Sequence, residues 1–254
     1  MIDIHSHILP GIDDGAKNMQ ETIAMAKQAV SEGITQIIAT PHHRNNQFDN
    51  DKDGIVSLVK DANNILQREG IPLSIHAGQE VRIFGEMVDA IETELLTLNN
   101  NGKYMLVELP SDQVPRYTEK LLYDLQMEGI IPIIPHPERN REIIENPDLL
   151  YRLVKNGAVT QVTAASITGR FGKKIKKFAL QCIDANLAHL VSSDAHNLET
   201  RGFHMKEAYE VIEKEFGKEV VYMMKENATY TLNGQTLIKE VPERIKKKKI
   251  LGIF

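Results

Sequence analysis

The chain of 254 residues has a single cysteine, Cys182, so no disulfide can form within it. One thiol is typical of a reducing compartment. No apolar run approaches the roughly 18 residues of a membrane-spanning helix. Asp3 and His5 stand where a signal peptide would carry its basic segment. We therefore expect a cytoplasmic protein.

Positive charge is also in deficit, since 30 Lys and Arg residues face 35 Asp and Glu residues, giving a net charge of -5. This balance argues against bulk binding of nucleic acid by charge. The composition, 42% hydrophobic and 26% charged, is typical of a soluble globular protein. We expect one domain over residues 1–254, with a basic tail from about residue 243.

Seven strand-like runs alternate with helical segments along the chain. The runs cover residues 1–7, 35–40, 72–80, 104–108, 130–134, 158–163 and 187–193. Such alternation predicts an α/β fold with parallel strands and right-handed crossovers. The chain has no G-x-G-x-x-G motif, so a closed barrel is favoured over an open nucleotide-binding sheet.

Side chains of metal-binding type fall at the ends of six of these seven runs. His5 and His7 stand two apart, so on a strand they point to the same side and can bind one ion. The other positions are His42, Glu80, Glu108, His136, Asp194 and His196, with Asp14, and Asp13 as a further oxygen donor, in the first loop. Ordinary loop charges would explain any one of these residues, but not their convergence on one barrel face.

Imidazole and carboxylate ligands without thiolate suit Mn, Fe, Zn or Mg. Nine ligands are too many for one ion, so we expect two or three divalent or trivalent ions, with Glu80 as a bridge. Such a site lowers the pKa of bound water and clamps both oxygens of an in-line displacement at phosphorus. Arg139 and Arg201 border the same rim and offer a planar fork to phosphate. Their spacing alone leaves an ordinary surface ion pair equally open.

Three further segments carry predictions of their own. Residues 44–54 are polar and predict an exposed, mobile loop that could act as a lid. Residues 86–96 predict a helix, and helices are also expected at 206–216 and 219–227. His76 lies inside a strand, so we expect a hydrogen-bonded structural histidine there.

Five segments together resemble the polymerase and histidinol phosphatase (PHP) family. They are Asp3-Ile4-His5-Ser6-His7, Thr40-Pro41-His42-His43, Gly78-Gln79-Glu80, Pro135-His136-Pro137-Glu138-Arg139 and Ser193-Asp194-Ala195-His196. Within that family the opening, from His5 to Gly15, is similar to the capsule-operon tyrosine-protein phosphatases of Gram-positive bacteria, the CpsB and YwqE type.

The resemblance implies a distorted (β/α)7 barrel of TIM type with a trinuclear site, Mn being the first expectation. One ion takes His5, His7, Glu80 and Asp194, a second takes Glu80, Glu108 and His136, and a third takes Asp14, His42 and His196. Arg139 and Arg201 match the phosphate-holding arginines. Asp14 and Glu108 stand where many PHP members carry histidine, which fits the tyrosine phosphatase branch and leaves the metal more open.

The implied activity is hydrolysis of phosphotyrosine on proteins, such as a bacterial tyrosine autokinase and its substrates, in capsule or exopolysaccharide biosynthesis. No arginine stands six residues after Cys182, so the nucleophile is expected to be a metal-bound hydroxide rather than a thiolate. Asp194, His42 or His196 could protonate the leaving phenolate. The alternatives are a PHP phosphatase of a small phosphomonoester such as histidinol phosphate, a PHP nuclease, or a non-catalytic metal-bound docking module.

The end of the chain is basic and then apolar. Lys246 to Lys249 precede Ile250, Leu251, Ile253 and Phe254. The segment predicts either a solvated terminus or a docking element for an acidic partner such as the cognate kinase. At a lipid surface four lysines would contribute only a few kcal/mol, at roughly 1 kcal/mol each, so membrane contact would be transient at most.

Overall fold

Parallel strands and helices alternate through residues 1–245, the part of the chain that the computed structural model describes. The strands are β1 Ile2–Ser6, β2 Gln36–Ala39, β3 His42–His43, β4 Ser74–Ala77, β5 Glu80–Arg82, β6 Tyr104–Glu108, β7 Ile131–Pro135, β8 Val159–Thr163 and β9 Leu190–Ser192. The helices are α1 Met19–Ser31, α2 Lys52–Arg68, α3 Met87–Ala90, α4 Thr118–Met127, α5 Arg141–Glu145, α6 Asp148–Lys155, α7 Ala164–Thr168, α8 Lys173–Asp184, α9 Met205–Phe216 and α10 Lys218–Leu232. Short 3-10 helices cover Leu98–Asn100 and Pro137–Arg139. The basic stretch from Lys246 lies outside the described residues.

The nine strands occupy seven positions around a barrel, because two positions are interrupted. Thr40-Pro41 separates β2 from β3, and Gly78-Gln79 separates β4 from β5. The sheet orders are β1-β2-β4 and β3-β5-β6-β7-β8-β9, and adjacent strands in both sheets run parallel. The segment after β9 returns to β1, since Asp194 N–H donates to the His5 carbonyl and His7 N–H donates to the Ala195 carbonyl, both at 2.9 Å. The predicted distorted (β/α)7 barrel is confirmed.

The first helix begins where the sequence predicts a capping box. The Asn18 side chain accepts from the Glu21 backbone N–H at 3.0 Å. The Glu21 carboxylate accepts from the backbone N–H of Lys17, at 2.9 Å. Together these bonds satisfy backbone donors that a helix start leaves free. They fix where the chain turns from the loop with Asp13 and Asp14 into α1.

Two apolar clusters hold the strands in place. The larger one packs the sheet against the surrounding helices. The smaller one joins strand residues, such as Ile4, Ile38 and Leu106, to Ala228 and Leu232 of α10. Because buried apolar surface contributes about 25 cal/mol per Å², these clusters supply the framework on which the polar strand ends are held.

Several predicted bounds are wrong, and hydrogen bonds to side chains account for one of them. The helix expected over 86–96 stops at Ala90, and further along the Gln79 side chain accepts from the Leu96 backbone N–H at 2.6 Å. Helices α5 and α7 were not predicted, and α10 extends to Leu232.

The polar stretch 44–54 contains no buried residue, as predicted, and hydrogen bonds tie it to neighbouring segments. The Asn45 side chain accepts from the backbone N–H groups of Gln47 and Phe48, at 3.1 and 2.8 Å. The Asn50 amide donates to the carbonyls of Ile12 and His42, both at 2.9 Å. Helix α2 already begins at Lys52. The stretch is therefore attached to the first loop and to β3.

In the described part of the chain, no helix is long and apolar enough to cross a membrane.

His189 is a buried histidine outside the cluster of strand-end ligands. The backbone N–H of Thr160 donates to its Nδ1 at 3.2 Å. Burial, and then the charge of Lys239, lower the pKa of this imidazole to about 3. A histidine in an unfolded chain has a pKa of about 6.5, so the unfolded state binds more protons below that pH. Stability due to His189 is therefore lost as the pH falls from about 6.5 towards 3.

Replacing His189 by Gln should remove this part of the acid sensitivity, because Gln accepts a hydrogen bond but does not titrate. The free energy of unfolding of the wild type should fall more steeply below about pH 6.5, by up to roughly 1.4 kcal/mol per pH unit. Urea unfolding of both proteins at several pH values measures the difference. Equal slopes for His189→Gln and wild type would contradict the prediction.

Candidate metal centre

The first group of predicted ligands converges where β1, β5 and the segment after β9 meet. The Nε2 atoms of His5 and His7 are 3.3 Å apart. Glu80 lies 3.5 Å from His5 Nε2 and 3.4 Å from His7 Nε2, and Asp194 Oδ1 lies 3.5 Å from both. Two ligand atoms at about 2.1 Å from a tetrahedral ion are about 3.4 Å apart. The four side chains therefore have the spacing of ligands to one ion.

A second group lies beside the first, on the side of the first loop. Asp14 Oδ1 is 3.4 Å from His42 Nε2 and 3.3 Å from His196 Nε2. One ligand atom from each of these residues and one from His7 all lie within 4.8 Å of one another. The group joins β3, the first loop and the segment after β9.

The remaining two predicted ligands approach Glu80 from β6 and β7. His136 Nε2 is 2.8 Å from Glu80 Oε1. Glu108 Oε2 is 3.9 Å from His42 Nδ1, and these two residues form a third compact group with Glu80. Glu80 thus contacts His5, His7, His42 and His136, which is the position of a bridging carboxylate. The structure brings together all nine residues that the sequence nominated.

Several buried atoms of this cluster have no hydrogen-bond partner among the described residues. They are His42 Nδ1, Glu80 Oε2, Glu108 Oε2 and His196 Nε2. His42 Nδ1 and Glu80 Oε2 are 2.9 Å apart but lack hydrogen-bond geometry. Leaving one buried polar group unsatisfied costs about 1–3 kcal/mol. The concentration of such atoms in one place, all imidazole nitrogens or carboxylate oxygens, fits divalent cations.

The charges in the cluster are strongly coupled. Burial opposes ionisation of Glu80, but neighbouring His5 and His42 hold its pKa well below the usual range. Burial lowers the pKa of His42, but the charge of Glu80 and the contacts with the Asp14 and Glu80 carboxylates together outweigh burial and raise that pKa to about 9. Burial, and then Glu80, raise the pKa of Glu108 to about 7. The buried carboxylates therefore draw positive charge into the cluster.

His136 and His196 behave differently from His42. Burial and the Arg139 charge lower the pKa of His136 to about 4. Burial and the charge of His7 lower that of His196 to about 4 as well. Both imidazoles are consequently neutral at pH 7, which is the form that binds a metal ion.

Arg139 and Arg201 meet at a single carboxylate oxygen. Both guanidinium groups donate to Asp194 Oδ2, Arg201 at 2.9 Å, and Arg201 Nη1 is 3.7 Å from Asp14 Oδ2. Their side chains stay 30% and 27% exposed, whereas Asp194 is 2% exposed. They are thus not an ordinary surface pair, because they connect buried ligand-type residues with solvent.

Residues outside the nine proposed ligands orient the histidines. Asp13, expected as an oxygen ligand, accepts instead from His7 Nδ1 at 2.7 Å and from the His42 backbone N–H at 3.2 Å. Gln161 Oε1 lies 2.9 Å from His5 Nδ1. Such contacts fix the ring and the tautomer that present Nε2 to an ion. Asp13 was predictable as a polar residue of this loop, but no sequence signal marked Gln161 in the middle of β8.

Two ligand-type residues have left-handed backbone conformations. His136, directly after β7, has φ 37°, and Asp194, two residues after the end of β9, has φ 53°. Non-glycine residues in this region are strained and concentrate at functional sites. The neighbouring buried Glu138 holds the turn after His136 by accepting from Thr163 N–H and from the Ser166 hydroxyl, at 2.9 and 2.7 Å.

Two other predictions concern residues outside the cluster. His76 lies within hydrogen-bonding distance of Asn99 and Gln36, at 3.1 and 3.0 Å, so the expected structural role is confirmed. Cys182 is buried in α8, and burial raises the pKa of its thiol well above the usual range.

A barrel whose strand ends gather imidazoles and carboxylates around a shared glutamate has the layout of metal-dependent hydrolases. A family model for capsular polysaccharide synthesis proteins, CpsB/CapC, matches residues 1–233. The chain therefore belongs to the CpsB/CapC family. It is 51% identical to tyrosine-protein phosphatase YwqE of Bacillus subtilis (strain 168) over the whole of both chains, and 39% identical to CapC of Staphylococcus aureus, again over the whole of both.

Solved structures agree with this placement. One from work on YwqE of Bacillus subtilis and CpsB of Streptococcus pneumoniae, described as unique metal-dependent tyrosine phosphatases, superposes with a TM-score of 0.95 at 51% identity. The match covers 97% of this chain and all of the other. An organophosphorus hydrolase variant from Deinococcus radiodurans, at 12% identity, matches with a TM-score of 0.57 over 92% of both chains. This second likeness shows the shared barrel fold alone.

Gly15 gives a test of how closely the first loop must approach β1. A Cβ added at Gly15 would lie 2.0 Å from the carbonyl oxygen of His7, so a Gly15→Ala chain must move the loop that carries Asp13 and Asp14. We expect fewer metal ions per chain and a lower melting temperature. Gly85→Ala is the matched control, since nothing lies within 4 Å of its added Cβ. Elemental analysis and thermal unfolding measure both effects, and equal metal content in Gly15→Ala and wild type would refute the loop assignment.

Proposed function

We propose that this protein is a metal-dependent protein-tyrosine phosphatase. The observation that carries the proposal is the joining of two features at Asp194. Its Oδ1 belongs to the histidine and carboxylate cluster, and its Oδ2 accepts from two half-exposed arginines. Both features suit the hydrolysis of a phosphate ester, because the arginines bind phosphate oxygens and the cluster fits cations. The relatives named as tyrosine-protein phosphatases support the choice of phosphotyrosine.

We infer that nine residues hold two or three ions, with Mn the first candidate and Fe, Mg or Zn as alternatives. They are His5, His7, Asp14, His42, Glu80, Glu108, His136, Asp194 and His196. Three compact groups, two of which include Glu80, contain seven of these residues. The other two, His136 and Asp194, lie 2.8 Å from Glu80 and 3.5 Å from His5. Bound ions would lower the pKa of coordinated water and neutralise charge at phosphorus. The chain contributes neutral His136 and His196, the bridge Glu80, and the orienting contacts of Asp13 and Gln161.

Arg139 and Arg201 hold the non-bridging phosphate oxygens in this proposal. Their guanidinium groups converge from different segments, the turn after β7 and the loop after β9. Hydrogen-bond donors that are already in place stabilise charge as it develops in the transition state. Arg139 is held in turn by the buried Glu138 next to it, whose carboxylate fixes the turn.

The leaving phenolate needs only moderate help from a general acid, because the pKa of a phenol is about 10. Three candidates could supply the proton. Asp194 has its pKa held well below the usual range, and the pKa of His196 is about 4, so neither carries a proton at pH 7. His42 has a pKa of about 9 in the metal-free chain, but it is itself a proposed metal ligand and would lose that proton on binding an ion. Charge therefore does not rank the three candidates.

We further propose that the substrates are phosphotyrosine proteins in the cytoplasm, including the cognate tyrosine kinase of capsule or exopolysaccharide synthesis, and that residues 1–254 act as one domain. The family assignment supports the pathway. The partial exposure of both arginines supports a protein substrate, since they are accessible at the rim rather than enclosed. A small phosphomonoester ranks second, and a purely docking role third, because the ligand set is complete.

Removing metal should abolish turnover, whereas removing the thiol should not. Cys182→Ser keeps a small side chain in α8 and lies outside the cluster, so its turnover of a phosphotyrosine peptide should stay within about twofold of wild type. A chelator should stop both proteins, and Mn²⁺ should restore them. Loss of activity in a folded Cys182→Ser protein would contradict a thiolate-free mechanism. Faster turnover of histidinol phosphate than of the peptide would favour the small-molecule alternative.

The arginines should matter through their shape as well as their charge. Arg139→Lys keeps the charge but loses the planar fork, so kcat/KM for the phosphotyrosine peptide should fall at least about tenfold. Arg201→Ala should be equally damaging. Arg152→Ala is the matched control, because that arginine pairs with Glu119 on the surface at 3.0 Å. Wild-type kinetics in both Arg139→Ala and Arg201→Ala would exclude the assignment.

A further inference from the structure

Two phenylalanines of the described chain stand apart from the hydrophobic core. Phe84, Phe178, Phe203 and Phe216 belong to or pack against the larger apolar cluster. Phe48 and Phe171 belong to neither cluster, and both are partly exposed. Both rings are therefore accessible to a molecule bound beside them.

Phe48 lies against the candidate metal centre. Its ring stacks on the imidazole of His42, with centroids 6.2 Å apart and an angle of 11° between the planes. The Asn45 side chain fixes the Phe48 backbone, and the Asn50 amide ties the same turn to the His42 carbonyl. The turn therefore holds the ring at the rim, beside one of the proposed ligands.

Phe171 lies against the candidate phosphate-binding group. The guanidinium carbon of Arg139 sits over its ring, 5.2 Å from the centroid. Phe171 follows α7 and directly precedes Gly172, whose φ of 95° is a conformation open to glycine. The attraction between the guanidinium group and the ring face orients the planar fork and leaves the rest of the ring available.

We infer that Phe48 and Phe171 form an aromatic rim that contacts the phenyl ring of the substrate and selects aryl over alkyl phosphates. This inference rests on the proposed function and deepens it. In a phosphotyrosine the ester oxygen is bonded directly to the ring, so a phosphate held by Arg139 and the cluster places that ring at the rim. A serine or threonine phosphate brings no ring there.

The energetic effect follows from ring packing. Aromatic pairs contribute about 0.5–1.5 kcal/mol beyond their buried area, which corresponds to roughly a two- to tenfold effect per ring. A leucine at either position stays apolar but loses the ring. Selectivity for an aryl substrate should therefore fall without loss of the ligand cluster.

The test compares Phe48→Leu and Phe171→Leu with wild type in the Mn²⁺-loaded full chain. Turnover is measured on one peptide carrying phosphotyrosine and on the same peptide carrying phosphoserine. Binding is measured calorimetrically for the peptide with phosphonomethyl-phenylalanine, and the inhibition constant of inorganic phosphate is measured in parallel. Phe216→Leu is the matched control, because that ring packs on the core away from both arginines.

In each variant we expect a three- to tenfold loss of kcat/KM for phosphotyrosine and a similar loss of affinity for the phosphonate. The inhibition constant of phosphate should change less than twofold, and Phe48→Tyr and Phe171→Tyr should restore selectivity. Equal losses on the aryl peptide and on inorganic phosphate would overturn the inference, since Phe171 would then only position Arg139. Unchanged affinity for the phosphonate would also overturn it. A wild type that binds the phosphonate but hydrolyses no phosphotyrosine would refute the proposed function instead.

Discussion

The buried negative charge of Glu80 and Asp194 is the constraint on which the rest of the site depends. Both side chains are almost completely buried, and both keep their charge because imidazoles and guanidinium groups surround them. An ionised carboxylate is costly to bury without compensation. The histidines, the arginines and the affinity for cations can all be understood as responses to that cost. The barrel brings these charged side chains together, because its strands end on one face.

Much of this arrangement could be predicted from the sequence, because ligand-type residues at strand ends must converge once parallel strands close a barrel. His5, His7, Glu80 and Asp194 lie where that logic places them. The helix over 86–96 was predicted too long. The spacing of apolar residues does not reveal that the backbone N–H of Leu96 donates to the Gln79 side chain. Sequence spacing likewise could not show that the run 72–80 is interrupted at Gly78-Gln79, or that the strand position of run 35–40 resumes after Pro41 as β3.

The orienting residues were harder to find than the ligands. Asp3 shares a strand face with His5 by simple alternation, and its buried carboxylate accepts from Ser193 N–H at 3.0 Å. That alternation was visible in the sequence, but nothing in it distinguished a ligand from a support. Gln161 is one polar residue in a buried strand, and only the fold reveals its contact with His5. The alternation of residues in the sequence therefore predicts which face of a strand a side chain occupies. Only the folded structure shows whether that side chain is a ligand or supports one.

The left-handed backbone at His136 and Asp194 restricts which sequences this barrel can accept. Asn, Asp and His adopt positive φ several times more readily than most other non-glycine residues. The backbone therefore selects nearly the same residue types that metal ions favour as ligands, before any ligand is bound. A lineage that lost its metals would still be confined to a few side chains at these two positions. The residue types at His136 and Asp194 are consequently a poor indicator of activity. Glu80 and Glu108 have no positive φ, so the residue types at those two positions indicate activity better.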